Sequence, residues 1–298
     1  MPTIATIFKE YSQDIATLDI ELLLAHVAKK SREEIIAHPE YILTNHPYHT
    51  LQEYIKQRKK GMPLAYITHC KEFYGLDFEV DQHVLIPRPE TEILVEKVDE
   101  LCETFLPQKP LVLIDLGTGS GCIPITLAKK HPLVVRSIAI DNSPQALAVA
   151  RRNAHAHGVK KNINFLLADL LTLPEEDIKS LSENVLLVIT ANLPYIPQDQ
   201  YEKAPLHADT KGILFEPKGA LVSGKDGLGH FRRFFDQYAS LRKKLPKETI
   251  IFCEFFGDDS QRDFFENEIG QRFPEASLSF ILDLSGKTRI AKIDFSSS

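Results

Sequence analysis

Two clusters of residues in this sequence have the types and spacing to do chemistry. The first is Asn192-Leu193-Pro194-Tyr195, where a side-chain amide, a proline and an aromatic follow the apolar run Val185-Leu186-Leu187-Val188-Ile189. Such a short, continuous, β-branched run suits a strand buried on both faces of a parallel sheet. Asn192 then stands at the strand's carboxyl end, where open α/β sheets bind ligands. Asn and Pro are also ordinary turn formers, so the tetrapeptide alone reads more readily as an exit from a strand. The second cluster is Asp115-Leu116-Gly117-Thr118-Gly119-Ser120-Gly121. Its spacing is G-x-G-x-G, not the dinucleotide G-x-G-x-x-G, which points to a nucleoside cofactor without a pyrophosphate. Asp141 ends the next strand, where an acceptor meets ribose hydroxyls, and Asp169 follows the third, within reach of an adenine amine. Each acid alone reads as a turn or cap residue. Three at successive strand ends beside a glycine-rich loop are hard to explain as turns.

The elements that must position these residues alternate. Strands are expected over 111–116, 134–140, 163–167, 185–191, 249–254, 278–282 and 289–293, with helices between most of them, for example over 143–155 and 259–273. This pattern predicts an α/β fold with a seven-stranded, doubly wound, Rossmann-like sheet. Residues 283–288 are too few for a helical crossover, so the last strand should run antiparallel to its neighbour. Residues 1–70 read as a small N-terminal helical domain. Asp14 is a candidate cap for a helix reaching Lys29, Ser31 with Glu33-Glu34 starts a second helix, and a third runs from Pro47 to the basic stretch 56–60. Basic residues there suit a helix C-terminus. Residues 71–86 read as a hairpin linker, and 87–298 as the catalytic domain. In Pro87-Arg88-Pro89-Glu90-Thr91-Glu92 the prolines hold the chain extended, and Thr91 is a candidate cap for the helix that follows.

Composition sets the outer limits. With 43% hydrophobic and 26% charged residues, the 298-residue chain can build full cores, and two compact units are the expectation. No apolar run reaches membrane-spanning length and no targeting segment is evident, so a cytoplasmic protein is expected. Four scattered cysteines without a C-x-x-C pair read as thiols, and the histidine pairs lack metal-site company. A net charge of −6 gives no overall drive toward phosphate backbones. Binding to membrane, to metal or directly to nucleic acid is therefore not expected; a monomer is a separate expectation that composition does not decide.

The loop, the strand-end acid and the Asn-x-Pro-Tyr tetrapeptide together resemble S-adenosylmethionine-dependent methyltransferases that act on planar nitrogens. Pro63-Leu64-Ala65-Tyr66-Ile67, Glu72-Phe73-Tyr74-Gly75, the segment 85–92, Phe215-Glu216-Pro217, Ala220-Leu221 and Asp226-Gly227-Leu228 make the chain similar to the HemK/PrmC family. The resemblance covers nearly the whole chain. It implies a protein-glutamine methyltransferase that uses S-adenosyl-L-methionine, releases S-adenosyl-L-homocysteine, and acts on the Gly-Gly-Gln loop of class 1 peptide chain release factors, with residues 1–70 recognising the substrate. It further implies that Asp115, Gly117, Thr118, Gly119, Gly121, Asp141, Asp169 and Asn192 hold the cofactor. Asn192, Leu193, Pro194 and Tyr195, with Arg88 and Glu90, would bind substrate, and Asn192, Pro194 and Tyr195 would serve catalysis. Leu193 stands where that family has a first proline after the asparagine. Asn-Leu-Pro-Tyr resembles the motif of ribosomal RNA adenine dimethyltransferases, which keeps an adenine amino group of RNA or DNA as the alternative acceptor. A non-enzymatic nucleoside-binding module would leave the tetrapeptide idle. On the glutamine reading, Asn192 Oδ1 and the carbonyl of residue 193 accept the two hydrogens of the substrate amide. Because that second acceptor is backbone, Leu193 supplies it as well as proline would. For Arg88 and Glu90, a structural salt bridge is the competing explanation.

Overall fold

The computed structural model describes residues 1–105, 109–131, 135–181, 184–204 and 208–296. The chain divides into two compact units, Met1–Cys70 with Pro205–Phe215, and Lys71–Ala204 with Glu216–Ser298. No helix among the described residues is long and apolar enough to cross a membrane.

The first unit contains α1 (Ile4–Tyr11), α2 (Thr17–Ala28), α3 (Arg32–Ala37), α4 (Asn45–Lys59) and α5 (Leu64–Thr68). Ile7, Ile20, Leu23, Leu24, Ile35 and Leu51 meet in its core with no exposed surface. Ser31 and Glu34 form the reciprocal capping box that the sequence suggests, each side chain accepting from the other's backbone N–H. Asp14 does not cap α2. That helix starts at Thr17, with Ala16 in the capping position, and Asp14 is too far upstream; its carboxylate instead pairs with Lys59 at 2.7 Å. Arg58 likewise pairs with Asp19 at 2.7 Å, so the basic end of α4 is used within the unit.

The second unit opens with the hairpin β1 (Cys70–Phe73) and β2 (Leu76–Glu79). There follow α6 (Pro89–Phe105), β3 (Leu111–Leu116), α7 (Cys122–Lys130), β4 (Val135–Asp141), α8 (Pro144–Ala156), β5 (Ile163–Leu167), α9 (Glu175–Lys179) and β6 (Leu186–Ala191). The rest comprises α10 (Gln198–Lys203), α11 (Gly229–Leu241), β7 (Thr249–Glu254), α12 (Asp259–Arg272), β8 (Ser277–Leu282) and β9 (Thr288–Asp294). Of the strand expected over 134–140, residue 134 lies outside the described residues, as do 297 and 298 of the expected catalytic domain. Helix α6 starts at Pro89, whose fixed φ suits a first helical position. Thr91 is therefore inside the first turn and is not its cap.

Strands β3 to β9 form one sheet in the order β5-β4-β3-β6-β7-β9-β8, with β9 antiparallel to both neighbours and the rest parallel. Every residue of β3, β6 and β7 is buried, which accounts for their unbroken apolar runs. Along β3, Val112, Ile114 and Leu116 face one layer, Leu111 and Leu113 the other. The first layer carries Phe231, Phe234, Phe235, Tyr238, Phe265 and Phe273 from α11, α12 and the turn beyond. Each such ring contributes about 1.5–3 kcal/mol on burial.

This order sets the place of the site. The chain leaves β3 toward β4 and β5, then crosses back to lay β6 on the other side of β3, which opens a crevice between their carboxyl ends. Leu116 is level with Ala191, and Ala191 with Cys253. One residue further, Asn192 therefore emerges between Gly117 and Glu254.

Candidate active site

A cavity of about 330 Å³ opens at these strand ends. The glycine loop forms its floor. Gly117 has φ +69°, and a Cβ there would stand 3.3 Å from Leu193 Cδ2 and 3.7 Å from the Asn192 carbonyl oxygen, so the loop and the tetrapeptide press together. The loop is tied down by hydrogen bonds from Thr118 N to the Ile140 carbonyl and from Gly119 N to Asp141 Oδ2, both at 2.9 Å. Asp141 Oδ1 accepts from Ser143 N at 2.9 Å. Burial raises the Asp141 pKa, and these backbone donors oppose the rise. With the Asn142 backbone N–H also acting on it, only part of the carboxylate's accepting capacity remains for a ligand.

Of the residues singled out from the sequence, Gly117, Thr118, Gly119 and Asp141 line the cavity, with Asp169, Arg88, Asn192, Leu193 and Pro194 on its walls. Asp115, Gly121, Glu90 and Tyr195 are not on its surface. Asp115 is turned under the loop, where Thr190 Oγ1 donates to its Oδ1 at 2.6 Å and its Oδ2 has no hydrogen-bond partner among the described residues. Burial raises its pKa to about 7; the Thr118 hydroxyl, close by without a hydrogen bond to it, and the bonded Thr190 hydroxyl pull against that, and Asp141 adds to it. Asp169 is half-exposed, with Oδ1 accepting from Arg233 at 2.7 Å. Arg88 is already paired, its Nη2 lying 2.5 Å from Oε1 of buried Glu216, whose Oε2 accepts from Ile86 N at 3.1 Å. The linker arginine thus fastens the 216–222 segment that walls the cavity.

The tetrapeptide is held at both ends. Asn192 Nδ2 donates to Thr91 Oγ1 at 2.9 Å, which leaves Oδ1 as the amide's uncommitted end. Tyr195 donates through its hydroxyl to Glu254 Oε1 at 3.2 Å, and its carbonyl accepts from Gln261 Nε2 at 2.9 Å. Burial pushes the Tyr195 phenol up, and adjacent Glu254 adds to the effect. Glu254 is itself buried, which raises its pKa to about 7, while the Thr91 and Tyr195 hydroxyls act in the opposite sense. Glu254 and Gln261 were not foreseen, while the sequence presents Thr91 only as a helix cap and Glu216 only as part of a family segment. Glu254 carried a legible signal, a carboxylate ending an otherwise apolar strand beside β6. Among the described residues no group of three or more His, Cys, Asp or Glu side chains could hold a metal ion.

Residues 4–68 match the PrmC N-terminal domain, and residues 107–215 match a methyltransferase domain. A release factor glutamine methyltransferase of Chlorobaculum tepidum is 39% identical over 93% of this chain and 90% of its own length. One of Clostridium acetobutylicum is 35% identical over 88% and 87%. The chain belongs to the release factor glutamine methyltransferase family. Among solved structures, the N-terminal domain of human METTL16 in complex with SAH is similar at TM-score 0.53 and 16% identity, covering 91% of this chain and 93% of that one. At that identity the likeness concerns the fold alone. The seven-stranded sheet with an antiparallel last strand, expected from the sequence, is that of a release factor glutamine methyltransferase with its methyltransferase and PrmC N-terminal domains.

Proposed function

We propose that this chain transfers a methyl group from S-adenosyl-L-methionine to the side-chain amide nitrogen of the glutamine in the Gly-Gly-Gln motif of class 1 peptide chain release factors, releasing S-adenosyl-L-homocysteine. The observation that carries this reading is the orientation of Asn192. Its Nδ2 is committed to Thr91, so Oδ1 is the end left to meet an amide N–H. The names of the relatives support a release factor as acceptor, and the net charge of −6 disfavours RNA or DNA in that role.

The residues present suit the cofactor. Asp141 keeps lone pairs for ribose hydroxyls at the end of β4, Asp169 Oδ2 remains for an adenine amine, and the loop 117–121 allows close backbone approach. Asp115 acts from beneath, holding Thr190 on β6 to the start of the loop. When bound, the cofactor supplies an electrophilic methyl group on a sulfonium.

This chain's own residues then have a positioning task. An amide nitrogen is a poor nucleophile because its lone pair is delocalised into the carbonyl. Asn192 Oδ1 and the carbonyl of Leu193 accept its two hydrogens, orient it, and favour pyramidalisation as positive charge develops. Leu193, 2% exposed, packs its side chain against Gly117, which leaves the backbone carbonyl as its contribution to the acceptor. Pro194 keeps residue 193 extended. Tyr195 acts through Glu254 to hold the tetrapeptide's far end, and Arg88 acts through Glu216 to hold the cavity wall. The attached proton becomes acidic only once the nitrogen is cationic, so no strong base is needed, and alignment dominates the rate. Residues 1–70 serve substrate recognition.

Incubation with methyl-labelled cofactor, release factor and ribosomal RNA tests the reading. Label should enter the release factor at its glutamine, and Asn192→Ala should lower that rate about 10²–10³-fold with cofactor binding retained. Label in the RNA, or an unimpaired Asn192→Ala enzyme, overturns it.

A further inference from the structure

Thr91 is 2% exposed, comes from the first turn of α6, and lies 101 residues from the asparagine it holds. It caps no helix, and a threonine of this size could be replaced by valine without loss of packing. What valine lacks is the hydroxyl, whose oxygen accepts from Asn192 Nδ2 at 2.9 Å.

We infer that Thr91 is a positioning residue for methyl transfer, its hydroxyl fixing the Asn192 side-chain amide with Oδ1 toward the acceptor and Nδ2 away from it. This role depends on the proposed reaction, in which an acceptor must face the substrate NH2 group. The two ends of an Asn amide have the same shape and opposite hydrogen-bonding character. If the amide is turned over, an NH2 group faces the NH2 group of the substrate, and two donors meet with no acceptor between them. The strand end by itself does not choose between the two orientations. Thr91 does, its oxygen accepting from Asn192 Nδ2 at 2.9 Å. The Glu254 carboxyl is nearby, and the Thr91 hydroxyl acts against the rise that burial gives its pKa. Glu254 Oε1 takes the Tyr195 hydroxyl at 3.2 Å and so holds the tetrapeptide's other end. Such hydrogen bonds are worth most where they are sealed from water. Thr91 and Glu254 are 2% and 1% exposed.

The test uses Thr91→Val and Thr91→Ser in the full-length enzyme. Thr91→Val should lower kcat for release factor methylation about tenfold, the weight of one lost hydrogen bond, with the dissociation constant for S-adenosylmethionine within twofold of wild type. Thr91→Ser, which keeps the hydroxyl, should restore kcat. The ¹⁵N-detected side-chain NH2 resonance of Asn192, assigned by its disappearance in Asn192→Ala, should shift in Thr91→Val and stay in place in Thr91→Ser. An unchanged kcat in Thr91→Val overturns the inference, as does Thr91→Ser as slow as Thr91→Val. A loss that falls on cofactor affinity and spares kcat does so too. If wild-type enzyme leaves release factors unlabelled, the proposed reaction fails, and the NMR signal still decides whether Thr91 sets the amide.

Discussion

Asp115→Asn should reshape the pH dependence of folding. Asp115 is 1% exposed, and burial moves its pKa from 3.8 to about 7. A carboxyl raised in this way binds its proton more tightly in the native state than in the unfolded chain. The stability it provides is complete below about pH 3.8 and is lost as pH rises through about 7. At 1.36 kcal/mol for each pKa unit, the wild-type protein gives up about 4 kcal/mol between pH 4 and pH 8 through this one group. Asparagine has no such ionisation. Its Oδ1 keeps the Thr190 bond, and its NH2 group replaces an oxygen that already lacks a partner, at a cost of about 1–3 kcal/mol for a buried unsatisfied donor. The variant should therefore be the less stable protein at pH 4 and the more stable by about 1–3 kcal/mol at pH 8. Urea unfolding followed by far-ultraviolet circular dichroism, without cofactor, at unit steps from pH 4 to 8 measures both curves. Glu254, also raised to about 7, slopes both proteins alike and drops out of their difference. Parallel curves with no crossing would refute the assignment of a buried carboxyl with a raised pKa under the loop.

Other substitutions probe the tetrapeptide and its surroundings. Leu193→Pro should change the methylation rate less than about tenfold, because a backbone carbonyl is retained; it should lower stability by about 1–3 kcal/mol, since a side chain packed on Gly117 is lost. Initial rates and thermal melts check both, and a switch of acceptor class would contradict the backbone assignment. Gly227→Ala places a Cβ 2.1 Å from the Tyr195 carbonyl oxygen at a residue with φ +79°, so stability should fall by about 2–4 kcal/mol and activity with it. Gly224→Ala, at φ +74° with nothing within 4 Å, should cost only about 1 kcal/mol. Equal melting temperatures for the two variants would show that crowding at Tyr195 is not what Gly227 avoids.

What could be read from the sequence followed from burial on both faces of a strand. β3, β6 and β7 announce themselves because every residue is buried and apolar runs need no alternation. The short connection after residue 282 gave the antiparallel hairpin, yet nothing local could say that β9 inserts between β7 and β8, since that pairing is decided by distant edges. α1 and α5 went unseen, being 8 and 5 residues long. Asp14 and Thr91 have the chemistry of helix caps, and only tertiary partners, Lys59 and Asn192, draw them elsewhere. The same holds for the site. Glycines and strand-end acids are visible because backbone geometry demands them, whereas Glu216 and Glu254 serve through partners 128 and 59 residues away.

The insertion of β9 has a consequence for how the protein is made. β7 and its buried Glu254 keep an open hydrogen-bonding edge until residues 288–294 exist, because β8, though synthesised first, pairs with β9 and not with β7. Domains ordinarily fold as they emerge, N-terminal parts first. Here the wall behind the tetrapeptide waits for residues 288–294, so a nascent chain halted before residue 288 would display the glycine loop and Asn192–Tyr195 without the strand that completes the sheet beside them.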